Sequence, residues 1–255
     1  MKKNILFIGG SSGIGLATVK LLAETHEVYV ASRSSETLAG LSINHLPFDV
    51  TTDDLSTLDL PGELSGLVYC PGSINLRPFK GLKPEAFEAD FKINVLGFVS
   101  CMQAVLPKLT TNSSVVLYST VAVKVGMPFH ASVAASKGAL EGLGKSLAAE
   151  LAPNTRVNVI APSITNTPLA DRFLNNETKM EKSAQRHPLK RVGKARCIGK
   201  LRGYVFQKPK HFEWPTIWCR EHLLFHPKQV QNHLRHQQLY SGCVDAKLFS
   251  NCEKF

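Results

Sequence analysis

Asn4-Ile5-Leu6-Phe7-Ile8-Gly9-Gly10-Ser11-Ser12-Gly13-Ile14-Gly15-Leu16-Ala17-Thr18 decides how this chain of 255 residues folds. An apolar run of strand length stops on a glycine-rich turn, and the turn opens straight into a helical pattern. Such a turn gathers unpaired backbone N–H groups at a helix start, where the helix dipole also favours an anion such as a diphosphate. Strand, turn and helix together form the first half of a βαβ unit.

Outward from that unit, short apolar runs at 27–31, 43–47, 66–70, 114–119 and 156–160 read as further buried strands. Helical patterns at 13–23, 36–41, 84–109 and 131–151 alternate with them, the third opening with Pro84 at a first helical position. This alternation, closed by right-handed crossovers, predicts an α/β fold: a doubly wound parallel sheet of the Rossmann type, in a single domain over residues 1–195. Residues 196–255 read as an atypical tail.

Composition narrows the classes of function. At 44% hydrophobic and 20% charged residues, the chain has the profile of a globular protein, neither disordered nor collagenous. Apolar stretches such as 28–31 and 115–118 fall short of the roughly 18–20 residues of a bilayer helix, so no membrane association is expected. Lys2 and Lys3 precede an apolar run, 5–8, that is shorter than the roughly 7–15 residues of a signal-peptide core, and a cytoplasmic location follows. Cys70, Cys101, Cys197, Cys219, Cys243 and Cys252 are scattered, which favours free thiols. The net charge of +10 raises nucleic acid as a partner, but the tail supplies much of it, with 10 Lys and Arg against 4 Asp and Glu. No nucleic-acid partner is therefore expected.

The spacing of Gly9, Gly13 and Gly15, with Ser11, Ser12 and Ile14 between them, resembles the cofactor turn of the short-chain dehydrogenase/reductase family. Several further landmarks resemble that family too. Asp49-Val50 matches its adenine-contacting pair, Cys70-Pro71-Gly72 stands where it usually has Asn-Ala-Gly, and Asn94 in FKINVLGF matches its helix Asn. Lys137 in VAASKGAL matches the catalytic Lys, while Pro162, Ser163 and Thr167 match the segment that contacts nicotinamide. The resemblance runs from residue 4 to about 195. It implies an NAD(P)(H)-dependent oxidoreductase that moves hydride to or from a carbonyl or alcohol of a small organic substrate. After the second strand stands Arg33, where an NAD-preferring chain would carry Asp or Glu. A cation suits a 2′-phosphate, so NADP(H) is expected, with NAD(H) as the alternative.

In that family a Tyr exchanges a proton with the substrate oxygen, a Lys four residues later lowers its pKa, a Ser orients the carbonyl and an Asn supports a water relay. Here Lys137 and Asn94 are present, and Thr120 takes the Ser position with an equivalent hydroxyl. The Tyr position is Val133, which cannot ionise. Two surrogates offer themselves. His130 lies seven residues before Lys137, the spacing that enoyl reductases of this superfamily use for their Tyr, and histidine is a residue type suited to proton exchange. Tyr118 is the weaker one. Three readings stand: carbonyl chemistry, an enoyl-reductase-like reduction of C=C through His130, and a dinucleotide-binding homologue without turnover.

The tail departs from the family, with no TG turn and no DGG ending, which leaves the last sheet strand and subunit association in doubt. Homo-oligomers, common among relatives, are for that reason doubtful here. Cys219, His222 and His226, with His211 or His233, could be taken as zinc ligands, and Trp214 and Trp218 as a nucleic-acid platform. The spacing lacks the second paired element of a zinc site, and no metal is expected. Composition and motif agreement change together near Ala195, which points to a frameshifted C-terminus. Translation of the other two reading frames tests this, and the absence of a family-like ending in either counts against it.

Overall fold

The computed structural model describes residues 2–187 and 189–200 together with the strand Thr216–Trp218. Its first elements are β1 (Asn4–Ile8), α1 (Gly13–Leu22), β2 (Glu27–Ser32), β3 (Asn44–Pro47) and β4 (Leu64–Tyr69). Next come α2 (Pro84–Phe91), a π-helical turn (Lys92–Leu96), α3 (Gly97–Val105), β5 (Leu109–Tyr118), α4 (Ala122–Val125), α5 (Ala131–Glu150) and β6 (Thr155–Ala161). The chain continues through β7 (Thr165–Asn166), α6 (Asp171–Leu174), α7 (Glu177–Arg186), β8 (Gly193–Lys194), α8 (Ala195–Gly199) and β9 (Thr216–Trp218).

Seven strands form one parallel sheet in the order β3-β2-β1-β4-β5-β6-β9, and β7 pairs with β8 in a separate ribbon. The winding reverses between β1 and β4, and the register aligns Ile8 with both Ala31 and Tyr69. Their carboxyl ends therefore open on one crevice, where such sheets bind ligands. Side chains alternate across the sheet: Val115 and Leu117 of β5 pack with Phe98 of α3 and Leu140 of α5, while Val116 and Tyr118 pack with Val19 of α1 and Ile198 of α8. Both faces are covered, which is why the strands carry continuous apolar runs.

Three departures from the sequence reading have physical causes. The helix expected at 36–41 is only a 3-10 turn, Glu36–Leu38, because Gly40 takes φ +78° and turns the chain out of the helix. The helical run expected at 84–109 is a continuous helix, Pro84–Lys108, that by length and composition could cross a bilayer. Phe98, Cys101, Met102 and Val105 are instead buried against the sheet, as in a core helix. The break expected after Ala195 falls inside packed structure: α8 lays a fully buried Ile198 against α1, and β9 extends the sheet beyond β6. Trp218 thus lies in a sheet strand, whereas Trp214 and the candidate ligands His211, Cys219, His222, His226 and His233 lie outside the described residues. Among the described residues no cluster of His, Cys, Asp or Glu could hold a metal ion.

Candidate active site

The turn between β1 and α1 needs its glycines. Gly9, Gly10 and Gly13 take φ of +68°, +138° and +54°, and a Cβ on Gly15 would lie 2.9 Å from Gly10 Cα and 3.0 Å from Cys70 Sγ. Gly9 N–H donates to Ala31 O at 2.8 Å, which pins the turn to β2. Ser12 caps α1 in an extended conformation (φ −152°, ψ 166°) without a side-chain cap, and the first turn carries no acidic residue. The leading N–H groups of α1 therefore face the crevice uncapped and without a competing carboxylate, the condition for holding a diphosphate. Thr167 closes over this turn, its Cβ 3.2 Å from where a Cβ on Gly13 would sit. The segment that carries Thr167, with Pro162 and Ser163, is fixed by the pairing of Thr165 with Gly193 and of Asn166 with Lys194.

A cleft of about 900 Å³ runs along the carboxyl ends of the strands, from Arg33 past Ser12 and Gly72 to Arg186. At its first end the exposed Arg33 stands with Ser11, Ser34 and Thr37. Ser34 Oγ donates to Ser11 Oγ at 3.4 Å, and Thr37 Oγ1 donates to the Ser11 carbonyl. Asp49 accepts from Thr51 N and Thr51 Oγ1 at 2.9 and 2.7 Å; these bonds, with the charges of Arg33 and Lys92, hold its carboxyl below the usual carboxylate range. Val50 lines the same stretch.

In the middle of the cleft the polar side chains converge on Gly72. A Cβ there would lie 3.2 Å from Asn94 Oδ1 and 3.3 Å from Lys137 Nζ, so any larger residue would press on both groups. Asn94 arrives on the π-helical turn, a form often found at functional sites. That turn is held from the sheet by Tyr69 Oη, which donates to Ile93 O at 2.5 Å. Burial lowers the Lys137 pKa to about 8, and Cys70 and Asp90 act against that fall. Burial also pushes the Cys70 thiol up to about 12, so this residue is an inert wall of the cleft.

Thr120 and His130 line the cleft beside Lys137, and so does Val133, 5% exposed, at the place of the family Tyr. Thr120 Oγ1 accepts from Ala122 N at 3.3 Å, which leaves its proton available to a ligand oxygen. His130 caps α5, and its Nδ1 lies 2.7 Å from Pro128 O. A carbonyl only accepts, so Nδ1 carries a proton and Nε2 is left to exchange one with a ligand. Tyr118 also lines the cleft, but most of it packs in the core on the α1 side of the sheet, where burial raises its pKa and the Thr18 side chain is its hydrogen-bonding neighbour. That position suits a structural aromatic and weakens its reading as a surrogate acid.

The cleft thus brings together every cofactor-binding and catalytic candidate of residues 1–195 except Asn94, which reaches it through Gly72. The structure also shows some residues that the sequence reading missed. Asp90, one helical turn before Asn94, is 3% exposed and accepts from Ser73 Oγ; the four-residue spacing was the available signal. Arg172, Lys179, Lys182 and Arg186 line the far end, whereas Glu177 and Glu181 of α7 do not.

A family model described as Enoyl-(Acyl carrier protein) reductase matches residues 9–209. The chain belongs to the short-chain dehydrogenase/reductase family. It is 30% identical over 223 residues to a tropinone reductase homologue of Datura stramonium, covering 78% of this chain and 83% of that protein. It is 31% identical to a 3-oxoacyl-(acyl-carrier-protein) reductase of Thermotoga maritima, over 78% of this chain and 88% of that one. The solved structure of ElxO with NADP bound shares the fold at a TM-score of 0.74 and 22% identity, covering 84% of this chain and 94% of the other. A short-chain dehydrogenase/reductase of this kind is an NAD(P)-dependent oxidoreductase acting on a small molecule. The family match reaches past Ala195 to residue 209, farther than the motifs alone carried it.

Proposed function

We propose that this short-chain dehydrogenase/reductase is an NADP(H)-preferring reductase of a small organic carbonyl or activated alkene, with His130 as its proton donor. The observation that carries this reading is that one cleft is lined by the glycine turn, Lys137, Thr120 and His130 together. The residues present fit a dinucleotide, because three glycines at positive φ and the uncapped start of α1 form a cradle that larger side chains would fill. Residues 9–15 would hold its diphosphate, Asp49 and Val50 its adenine, Lys137 with Gly72 its nicotinamide ribose, and Pro162, Ser163 and Thr167 its carboxamide. Arg33, with Ser11 and Ser12, would meet the 2′-phosphate. When bound, this cofactor supplies or accepts the hydride.

The chain's own groups then handle the oxygen and its proton. Thr120 donates to the substrate oxygen and fixes its angle, and Nε2 of protonated His130 gives the proton to the oxyanion or enolate. Asn94 holds the polar floor beside Lys137. General acid catalysis contributes about 10² to 10⁴ in rate. A second reading, a dinucleotide-binding homologue that turns over slowly or not at all, is favoured by one observation: the buried apolar Val133 at the Tyr position.

Titration with NADPH and NADH, followed by turnover on a panel of carbonyls and enones, decides between them for the natural chain, Val133→Tyr and His130→Ala. The proposal expects tighter NADPH binding and a loss of about 10²-fold in His130→Ala. Activity that appears only in Val133→Tyr supports the second reading.

A further inference from the structure

Below Gly72 lies a buried polar cluster that the proton chemistry of the cleft does not use. Ser73 Oγ donates to Asp90 Oδ1, and Asn94 Nδ2 donates to Ser73 Oγ at 3.3 Å and to Ser136 Oγ at 3.1 Å. Ser136 Oγ in turn donates to Val133 O at 3.1 Å. A hydroxyl has one proton to give, so both serines have spent theirs. Two acceptors are left over: Asp90 Oδ2 and Asn94 Oδ1 are buried and have no hydrogen-bond partner. Buried carboxylate and amide oxygens left in this way are costly, and each calls for a donor.

The group with protons to spare is the Lys137 ammonium. Its Nζ and Asn94 Oδ1 lie 3.3 and 3.2 Å from where a Cβ on Gly72 would sit, and the next residue in the chain, Ser73, binds Asp90. We propose that Asp90 is a positioning residue: it is the internal counter-charge that keeps Lys137 an ammonium and holds it at Gly72. The inference rests on the cofactor reading only for what the ammonium then does, which is to present N–H donors to the ribose. The other titratable groups around Lys137 cannot take this part. Cys70, just after β4, is a half-buried thiol that desolvation keeps protonated, Glu141 of α5 is engaged by Ser119 Oγ at 2.5 Å, and His130 at the start of α5 is turned to Pro128 O. Burial drives Lys137 toward neutrality, and Cys70 and the Asp90 charge oppose it.

The test is the rate of carbamylation of Lys137 by cyanate against pH, read by peptide mass spectrometry, with exposed Lys145 on the same helix as the internal reference. Cyanate reacts with the neutral amine. In Asp90→Asn the midpoint for Lys137 is expected to fall by about one unit or more, a rise of about fivefold in rate at pH 7, with Lys145 unchanged. Asp90→Glu, which keeps the charge, should restore the natural profile. An Asp90→Asn protein that is folded by circular dichroism and titrates at Lys137 like the natural chain overturns the proposal. Should that variant not fold, Asp90→Ser is read in the same way. A second arm titrates NADPH at pH 7 and 8.5, where Asp90→Asn should lose more affinity between the two than the natural chain does. If neither protein binds NADPH, the cofactor reading fails, while the cyanate profile of the free protein still judges Asp90.

Discussion

Lys137 is 6% exposed on a helix that otherwise turns Val133, Leu140 and Gly144 inward, so the fold buries a cation at a desolvation cost that its polar neighbours must offset. Its pKa falls from 10.5 to about 8, largely through desolvation, and the sign of the consequence follows directly. The folded state resists the proton that the unfolded chain accepts, so the penalty is full below pH 8 and is relieved as pH rises from about 8 toward 10.5. The natural chain should therefore gain stability as pH rises from about 8 toward 10.5, a gain that Lys137→Met should lack, and NADPH affinity should drop by a hundredfold or more in that variant. Urea melts at pH 7 and pH 10 with a cofactor titration check it; the same change in stability between the two pH values in both proteins contradicts the account. This residue was legible in the sequence as a role, through its place in VAASKGAL, but its strain was not. The balance between its burial and the neighbours that oppose it, Cys70 and Asp90, depends on other elements and has no signature near residue 137.

The π-helical turn shows the same limit at the scale of an element. The sequence gives a continuous helical pattern from Pro84, and the structure keeps one, yet within it Lys92–Leu96 widens so that Asn94 lies inward. Nothing in the local pattern separates this from plain α-helix, because the cause is Tyr69 on β4, whose hydroxyl takes the Ile93 carbonyl. Gly97 makes room for it: a Cβ there would lie 2.6 Å from Tyr69 Oη and 2.9 Å from Val50 Cγ2. Gly97→Ala should therefore push the Tyr69 ring off the turn, against the usual gain of alanine over glycine in a helix. The expected loss is about 2 kcal/mol in a urea melt, together with weaker NADPH binding as Asn94 and Val50 shift. A stabilised Gly97→Ala protein would show that the turn holds without this contact. Of the six strands read in the sequence, five match β1, β2, β3, β4 and β6 to within two residues, and the sixth misses only the first five residues of β5. The reason is that burial on both faces writes itself as apolar runs such as 4–8 and 114–118, whereas the short β7, β8 and β9 carry no such run.

For the whole molecule, the question is where the fold ends. Composition and motifs place its edge at Ala195, but packing places it later, because Ile198 is fully buried with Val19 and Leu22, and a Cβ on Gly199 would lie 3.2 Å from Thr18 Oγ1. The sequence hides this because α8 is short and its anchors, Ile198 and Gly199, look like any loop residues until α1 is beside them. Beyond α8, β9 adds three residues to the exposed side of β6, pairing Val159 with Thr216 and Ala161 with Trp218. Two shortened chains separate these contributions. All the residues proposed to meet cofactor or substrate precede Lys194, so a chain ending at Lys200 should bind NADPH within about threefold of the full chain. It should also self-associate, because β6 then presents unpaired N–H and C=O groups along an apolar strand. A chain ending at Lys194 additionally uncovers Val19 and Leu22 and loses Ile198, at a cost of about 3 kcal/mol relative to the longer one. Urea melts, sedimentation velocity and cofactor titration on the three lengths read out each step. Equal stability of the two shortened chains would put the edge of the fold back at Ala195, while loss of NADPH binding in the chain ending at Lys200 would make the segment beyond it part of the site.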